Sequence, residues 1–84
     1  MSDADLRTAV LQALASVAPE MDEAELDPKT GFRDQLDIDS MDFLNFVIAL
    51  HDSLAVDIPE ADYPRMTSLD SAIAYLAERL KAAA

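Results

Sequence analysis

The chain has 84 residues, of which 51% are hydrophobic, and its seventeen acidic against six basic side chains give a formal net charge of −11. A chain of this length buries one small core, its apolar content is too high for disorder, and its charge repels nucleic-acid phosphates and anionic lipid headgroups. Having no cysteine, one histidine and one glycine, it is poorly equipped for thiol chemistry, paired-histidine metal sites or glycine-rich phosphate loops. We therefore predict a single folded domain over residues 1–84 that is not an enzyme and that binds basic surfaces on proteins.

The first helix is predicted from about Asp3 to Ala18. Ser2 can cap it, with Asp5 three places further on, and Pro19 stops it. Its apolar residues recur at helical spacing along one stripe, at Leu6, Val10, Leu14 and Val17. Both ends and the buried face of this helix are therefore indicated by the sequence.

Residues 19–38 form a long predicted loop. They carry two prolines, Gly31 and many acids, and they show no sustained period. A loop of this length is unusual in a compact domain and is often functional. Its apolar residues are expected to pack it onto the core, and they are Met21, Leu26, Phe32 and Leu36.

A second long helix is predicted to begin at Ser40 and to end near residues 54–56. Asp39 is a good N-cap, with Asp42 at the third helical position. Apolar residues then recur on one face, at Phe43, Phe46, Val47, Leu50 and Leu54. Because a residue that precedes proline favours extended backbone, the Ile58-Pro59 pair keeps the helix from continuing.

Two further helices complete the predicted architecture. A short helical turn is expected at residues 60–63, with Pro64 limiting its length. Thr67 or Ser68 then caps a last helix. One face of that helix is lined by Leu69, Ile73, Leu76 and Leu80. No strand pattern competes, so the fold class is all-α, with three main helices and one short helix.

Ser40 is the main candidate for a functional residue. A phosphate ester on its oxygen would be stabilised by the free N–H groups and positive dipole end of the second long helix. Its position alone also fits an ordinary helix-start serine. His51 follows eleven residues later in the same predicted helix, about 16 Å away, so it cannot act as a base for Ser40.

No metal or membrane site is expected from the sequence. The acids Asp37, Asp39 and Asp42 lack the glycine and the terminal glutamate of a calcium loop. The first residues lack the positive start and apolar run of a signal peptide, and no apolar stretch approaches the roughly 20 residues of a membrane span. We therefore expect a cytoplasmic monomer.

The run LDIDSMDFL at residues 36–44, followed by IPE at 58–60 and MTSL at 66–69, resembles the acyl carrier proteins over nearly the whole chain. The resemblance implies a four-helix bundle with 4′-phosphopantetheine on the serine of an Asp-Ser-Leu signature. In that family a phosphopantetheinyl transferase installs the group from coenzyme A, and its terminal thiol holds acyl groups as thioesters. Ser40 matches the serine, and Met41 replaces the leucine with an apolar side chain of similar volume.

Further residue roles follow from this resemblance. Asp39 is expected to help the transferase recognise Ser40 as well as to cap the helix. Four acids are expected to meet arginine or lysine on acyl-transferring and condensing enzymes with basic docking surfaces, namely Asp42, Asp52, Glu60 and Asp62. Candidates for an acyl pocket, which core packing would also explain, are Phe46, Val47, Leu50, Leu54, Ile58 and Met66.

The chain also departs from the pattern of fatty-acid carriers. Asp37 and Ile38 replace the usual Gly-Ala before the serine, and Asn45 and His51 stand where those carriers have glutamate. These departures favour a specialised pathway over primary fatty-acid synthesis. Two alternative functions stay open, a peptidyl or aminoacyl carrier and an unmodified acidic helical domain that binds other proteins.

Overall fold

The computed structural model describes residues 2–83, which form helices and connecting loops without a strand. In chain order the elements are α1 (Asp3–Val17), α2 (Phe32–Gln35), α3 (Ser40–Leu54), a 3₁₀ helix (Glu60–Met66) and α4 (Leu69–Ala83). The predicted all-α class is confirmed, and α1 and α3 have nearly the predicted bounds. None of the described helices is long and apolar enough to cross a membrane.

Helix α1 begins with a capping box and presents one apolar face to the core. The Ser2 Oγ accepts a hydrogen bond from the Asp5 N–H at 3.1 Å, and the Asp5 carboxylate accepts one from the Ser2 N–H at 3.3 Å. These bonds satisfy two N–H groups that a helix start leaves unpaired. The buried residues of α1 are Leu6, Ala9, Val10, Leu11, Ala13 and Leu14.

The core lies where α1 packs against both α3 and α4, while the 3₁₀ helix packs against α4. Each large apolar side chain in it contributes about 1.5–3 kcal/mol through burial. The largest fully buried side chains outside α1 are Phe32, Phe46, Leu50, Met66, Leu69, Tyr75 and Leu76. Three of these, Phe32, Phe46 and Met66, come from the elements that surround Ser40, so the core directly supports that region.

The long loop contains one helical turn, α2, that the sequence pattern did not predict. Phe32 is fully buried, and its N–H donates to the Thr67 carbonyl at 2.6 Å. The Gln35 side chain donates to the Asp27 and Thr30 carbonyls at 2.8 and 2.9 Å and accepts from the Asp27 N–H at 2.9 Å. Tertiary contacts therefore hold a turn that is too short to be stable by itself.

The 3₁₀ helix is longer than predicted, and the expectation that Pro64 would limit it to residues 60–63 was wrong. Proline lacks the N–H that would bond to the Ala61 carbonyl in an i to i+3 pattern. Both Ala61 and Pro64 are exposed, so water can satisfy that carbonyl. The helix therefore continues to Met66, whose side chain is fully buried.

Helix α4 starts after Ser68 rather than Thr67. The Ser68 Oγ accepts from the Ser71 N–H at 3.3 Å, and the Ser71 Oγ accepts from the Ser68 N–H at 3.1 Å. Ile73 and Leu80 on the predicted stripe are only partly buried. The fully covered residues of the helix are Leu69, Ala72, Tyr75 and Leu76.

Candidate functional site

Ser40 is the first residue of α3 and is exposed to solvent. Asp39 is the N-cap: its carboxylate accepts from the Asp42 N–H at 2.9 Å. In return, the Asp42 carboxylate accepts from the Asp39 N–H at 3.2 Å. This reciprocal box fixes the turn that carries Ser40, because both flanking residues are tied to each other.

The backbone beside Ser40 suits an anionic group. The capping box satisfies the N–H groups of Asp39 and Asp42, whereas those of Ser40 and Met41 have no acceptor among residues 2–83. Free N–H groups at a helix start, together with the positive end of the dipole, stabilise a negative charge. A phosphodiester on the Ser40 Oγ therefore fits this position.

Ser40 lines an open groove of about 850 Å³. The groove runs between α2, the first turns of α3 and the 3₁₀ helix. Met41 and Leu44 are exposed at 64% and 37%, an unusual degree for large apolar side chains, and both line it. The other lining residues are Phe32, Arg33, Asp34, Phe43, Glu60, Tyr63, Pro64 and Thr67. A flexible chain attached to Ser40 would find a largely apolar surface next to it.

Aromatic rings separate this groove from the core. Phe43 lies edge-to-face with Tyr63, with ring centroids 5.8 Å apart, and both line the groove. Phe46 is fully buried behind them, 5.8 Å from the Phe43 ring and 5.4 Å from the Phe32 ring. Phe46 does not line the groove, whereas Phe32 and Phe43, the two rings beside it, both do.

None of the six acyl-pocket candidates lines the groove beside Ser40. Phe46, Val47, Leu50 and Met66 are buried, whereas Leu54 and Ile58 are partly buried at the edge of the core. Val47 and Ile58 also line a second hollow of about 340 Å³, together with His51. The candidates remain predictions for a cargo that extends beyond the groove.

Sequence reasoning named Ser40, Met41 and Glu60 as site residues but did not assign the other lining residues to the site. Leu44 lies one helical turn beyond Ser40, so its i, i+4 spacing could have placed it on the same side of α3. Tyr63, Pro64 and Thr67 reach the site from a segment with no helical period of 3.6. Arg33 arrives on α2, whose formation depends on contacts distant in sequence. Their assembly was therefore not readable from local patterns.

The four partner-binding candidates have different surroundings. Asp52 and Glu60 are exposed, and Glu60 lines the groove. Asp42 belongs to the capping box, and Asp62 accepts from the Tyr75 hydroxyl at 2.7 Å. Substitution of Asp42 or Asp62 would consequently disturb these bonds and lower stability. Asp52 and Glu60 are therefore better suited to a test of binding.

His51 has a structural contact at the other end of α3. Its Nδ1 lies 2.8 Å from the Val56 carbonyl and 3.7 Å from the Asp57 carboxylate. Because α3 is continuous, the eleven residue steps from Ser40 to His51 correspond to about 16 Å. The two side chains therefore do not form a catalytic pair. Within residues 2–83, no group of three or more histidines and acids is arranged to hold a metal ion.

Known proteins resemble this chain over most of its length. The family model described as "phosphopantetheine attachment site" matches residues 8–76. An acyl carrier protein of Rubrobacter xylanophilus is 27% identical over 75 residues, which cover 86% of this chain and 93% of that protein. An acyl carrier protein of Myxococcus xanthus is 30% identical over 70 residues, which cover 80% of this chain and 89% of the relative. A protein of Schizosaccharomyces pombe that is named as a mitochondrial acyl carrier protein is 27% identical over 78 residues, which cover 93% of this chain and 70% of that protein.

The helical fold, the serine at a helix start and the matched family together define a carrier module that takes 4′-phosphopantetheine as a covalent cofactor. The chain belongs to the acyl carrier protein family. Members of this family are carriers and not catalysts. The expected resemblance is therefore confirmed at the level of family, fold and cofactor.

Proposed function

We propose that Ser40 is the attachment residue for 4′-phosphopantetheine and that the chain holds acyl groups as thioesters on this arm. The observation that supports this most strongly is the exposed Ser40 hydroxyl at the mouth of an apolar groove, inside the region that the family model matches. The arm supplies a terminal thiol, which a chain without cysteine cannot supply itself.

Attachment requires little of the chain beyond positioning. The Asp39–Asp42 box holds the turn that carries Ser40, an exposed residue that a transferase can reach. In the transfer, an Oγ–phosphorus bond forms, the pyrophosphate bond of coenzyme A breaks, and adenosine 3′,5′-bisphosphate leaves. His51 is too distant to accept the hydroxyl proton, and we assign that role to a base of the phosphopantetheinyl transferase.

The groove gives the arm and the first part of its cargo an apolar surface to lie on. Met41, Leu44 and the Phe43–Tyr63 ring pair form that surface. A cargo that goes deeper meets the rings of Phe32 and Phe43 before it reaches Phe46. Short cargo therefore lies in the groove, and the buried candidates Phe46, Leu50 and Met66 act only on cargo that passes the rings.

We propose acyl-transferring and condensing enzymes with basic docking surfaces as the partners, alongside the transferase. The chain's net charge of −11 and the exposed Asp52 and Glu60 support this choice. The names of the relatives support an acyl carrier over a peptidyl or aminoacyl carrier, and the family match supports a modified protein over an unmodified interaction domain. Asn45 and His51 support a specialised acyl-synthesis pathway.

A cytoplasmic location remains part of the proposal. One relative is named as mitochondrial, so related carriers work in more than one compartment. Fractionation of the source cells with an antibody to this chain tests the point. Recovery with an organelle marker would contradict the proposed location without affecting the carrier function.

Intact-protein mass tests the attachment. The folded protein is incubated with coenzyme A, magnesium and a broad-specificity phosphopantetheinyl transferase, beside Ser40→Ala and Ser53→Ala. Ser53 is an exposed serine on the same helix and serves as the matched control. We expect one phosphopantetheinyl group on the wild type and on Ser53→Ala, and none on Ser40→Ala.

If the folded wild type gains no mass with this transferase or with one from the source organism, the attachment proposal is wrong. The unmodified interaction domain would then be the better description. A gain that persists in Ser40→Ala would instead move the attachment to another residue.

A further inference from the structure

The groove beside Ser40 contains one basic side chain. Of its eleven lining residues, Arg33 is the sole cation, and Asp34 and Glu60 are the anions. Asp39 and Asp42 add two more carboxylates at the adjoining start of α3. A phosphodiester on Ser40 would therefore meet several negative charges and a single positive one.

Arg33 is carried by a well-anchored turn. Its neighbour Phe32 is fully buried and donates its N–H to the Thr67 carbonyl at 2.6 Å. On its other side, Gln35 bonds to the backbone of Asp27 and Thr30. The backbone of Arg33 is thus held at the edge of the groove, while its side chain is exposed.

The Arg33 guanidinium is available for an anion. The ion pairs within residues 2–83 are Arg65–Glu78 and His51–Asp57, and Arg33 takes part in neither. A guanidinium presents N–H groups in a planar fork that matches two phosphate oxygens, and such charge-assisted bonds are stronger than neutral ones. A lysine ammonium would supply the charge without this fork.

We propose that Arg33 binds the phosphodiester that joins the arm to Ser40 and thereby directs the arm along the groove. This inference rests on the proposed attachment at Ser40 and assigns Arg33 as a positioning residue. The phosphorus is bonded directly to the Ser40 Oγ, so the phosphate is confined to the mouth of the groove. The rest of the arm is flexible. A carboxylate on a cargo could also attract Arg33, but it would be present only in some loading states, whereas the phosphate is present in all of them.

The test uses the modified, unloaded protein, which has the phosphate but no cargo. We first confirm by mass that the wild type, Arg33→Lys and Arg33→Gln are fully modified and by circular dichroism that they are folded. We then record the ¹⁵N-detected Nε–Hε signals of the arginines before and after modification, and the ³¹P signal after it. Arg7, exposed on α1, is the internal control.

Modification is expected to shift the Arg33 Nε–Hε signal and to leave that of Arg7 unchanged. The ³¹P signal of Arg33→Gln is expected to lie closer to its value in urea-unfolded modified protein, and Arg33→Lys should fall between Arg33→Gln and the wild type. An exposed charge pair changes populations by about two- to fivefold. Because salt screens such a pair, added salt should reduce the difference between the ³¹P signals of the wild type and Arg33→Gln.

An Arg33 signal that does not respond to modification overturns the proposal, and this readout needs no variant. A ³¹P signal that is identical in the wild type and Arg33→Gln does the same. If the wild type gains no phosphopantetheinyl group at all, it is instead the proposed attachment that fails. The two results are therefore distinguishable.

Discussion

The Tyr75 hydroxyl donates to the Asp62 carboxylate at 2.7 Å, and this bond joins α4 to the 3₁₀ helix that forms one side of the groove. Arg65 reinforces the junction, since its guanidinium lies 4.9 Å from the centre of the Tyr75 ring and donates to Glu78 at 2.6 Å. Burial of Tyr75, followed by its bond to Asp62, raises the pKa of its phenol to about 12. The side of the groove is therefore tied to a tyrosine that must remain protonated.

Stability is predicted to fall between about pH 10 and pH 12. In this range the native state keeps the Tyr75 proton, whereas the unfolded chain, with an ordinary tyrosine pKa of 10.0, has lost it. Since the native state binds more protons, the free energy of unfolding decreases as the pH rises, by roughly 2 kcal/mol across the interval. Urea unfolding at a series of pH values measures this loss.

Tyr75→Phe is the control for that series. It removes the titrating hydroxyl but leaves Tyr63 and the basic residues, so their contributions cancel in the comparison. The variant should be less stable than the wild type at neutral pH and should lose less stability above pH 10. Parallel curves for the two proteins would contradict the assignment of the effect to Tyr75.

The capping role of Asp39 can be separated from its expected role in transferase recognition. Asp39→Asn retains an oxygen that can accept from the Asp42 N–H, whereas Asp39→Ala removes the cap and should lower the free energy of unfolding by about 1 kcal/mol. We expect Asp39→Asn to unfold near the wild-type urea midpoint. If its modification by the transferase is nevertheless slower, the negative charge has a separate role in recognition.

The ring of Phe43 is predicted to control how deeply cargo enters. When an acyl group is loaded on the wild type, the methyl NMR signals of Met41 and Leu44 in the groove should shift more than those of Leu50 and Met66 in the core. Phe43→Ala removes one of the two rings between the groove and Phe46 and should make the core methyls respond more strongly. If the core methyl signals of the wild type shift more than those of the groove on loading, the Phe43 ring does not control how deeply the cargo enters.

Phe43→Ala will also destabilise the protein because it leaves a cavity beside Phe46. Leu44→Ala is the matched variant, since it enlarges the groove without uncovering the core. Only the Phe43 substitution should change the response of Leu50 and Met66 to loading. Equal effects from the two variants would argue against a cover formed by this ring.

Partner binding is predicted to weaken as salt rises, because exposed acids meet basic residues across a solvated interface. Asp52→Asn and Glu60→Gln should each lower the affinity for the transferase or a condensing enzyme about two- to fivefold. Glu20→Gln, an exposed acid in the loop after α1, is the control. Asp62→Asn is less suitable, as it also disturbs the bond to Tyr75. An affinity that is independent of salt would contradict the acidic docking surface.

The elements with strong local signals were predictable from the sequence. Ser2 and Asp39 each stand three residues before an aspartate, and both pairs form the capping boxes that this spacing favours. The apolar period then identifies the buried faces of α1 and α3. The residues around Ser40 indicated only that an anionic ester would be stable there. The identity of the cofactor came from the family motifs in the same segment.

The remaining features depend on contacts between distant segments. Helix α2 is four residues long, too short for a period, and it forms because Phe32 and Gln35 bind parts of the chain outside it. Tyr75 looks like a partly polar residue in the sequence, yet it is 1% exposed because Asp62 accepts its hydroxyl. The groove combines residues from α2, α3 and the segment of the 3₁₀ helix, so its lining could not be inferred from any one of these segments.

The bonds around α2 divide the loop into two parts with different tolerance to change. From Asp27 onward the backbone is fastened to Gln35 and, through the Pro28 carbonyl and the Asp70 N–H at 2.9 Å, to the start of α4. Residues 22–25 are exposed, and their hydrogen bonds run among themselves and from the Leu26 N–H to the Glu23 carbonyl at 3.3 Å. A protease cut or a short insertion at residues 22–25 would consequently leave Arg33, Phe32 and the mouth of the groove in place. Evolution or design could vary the length of this first part without moving Ser40.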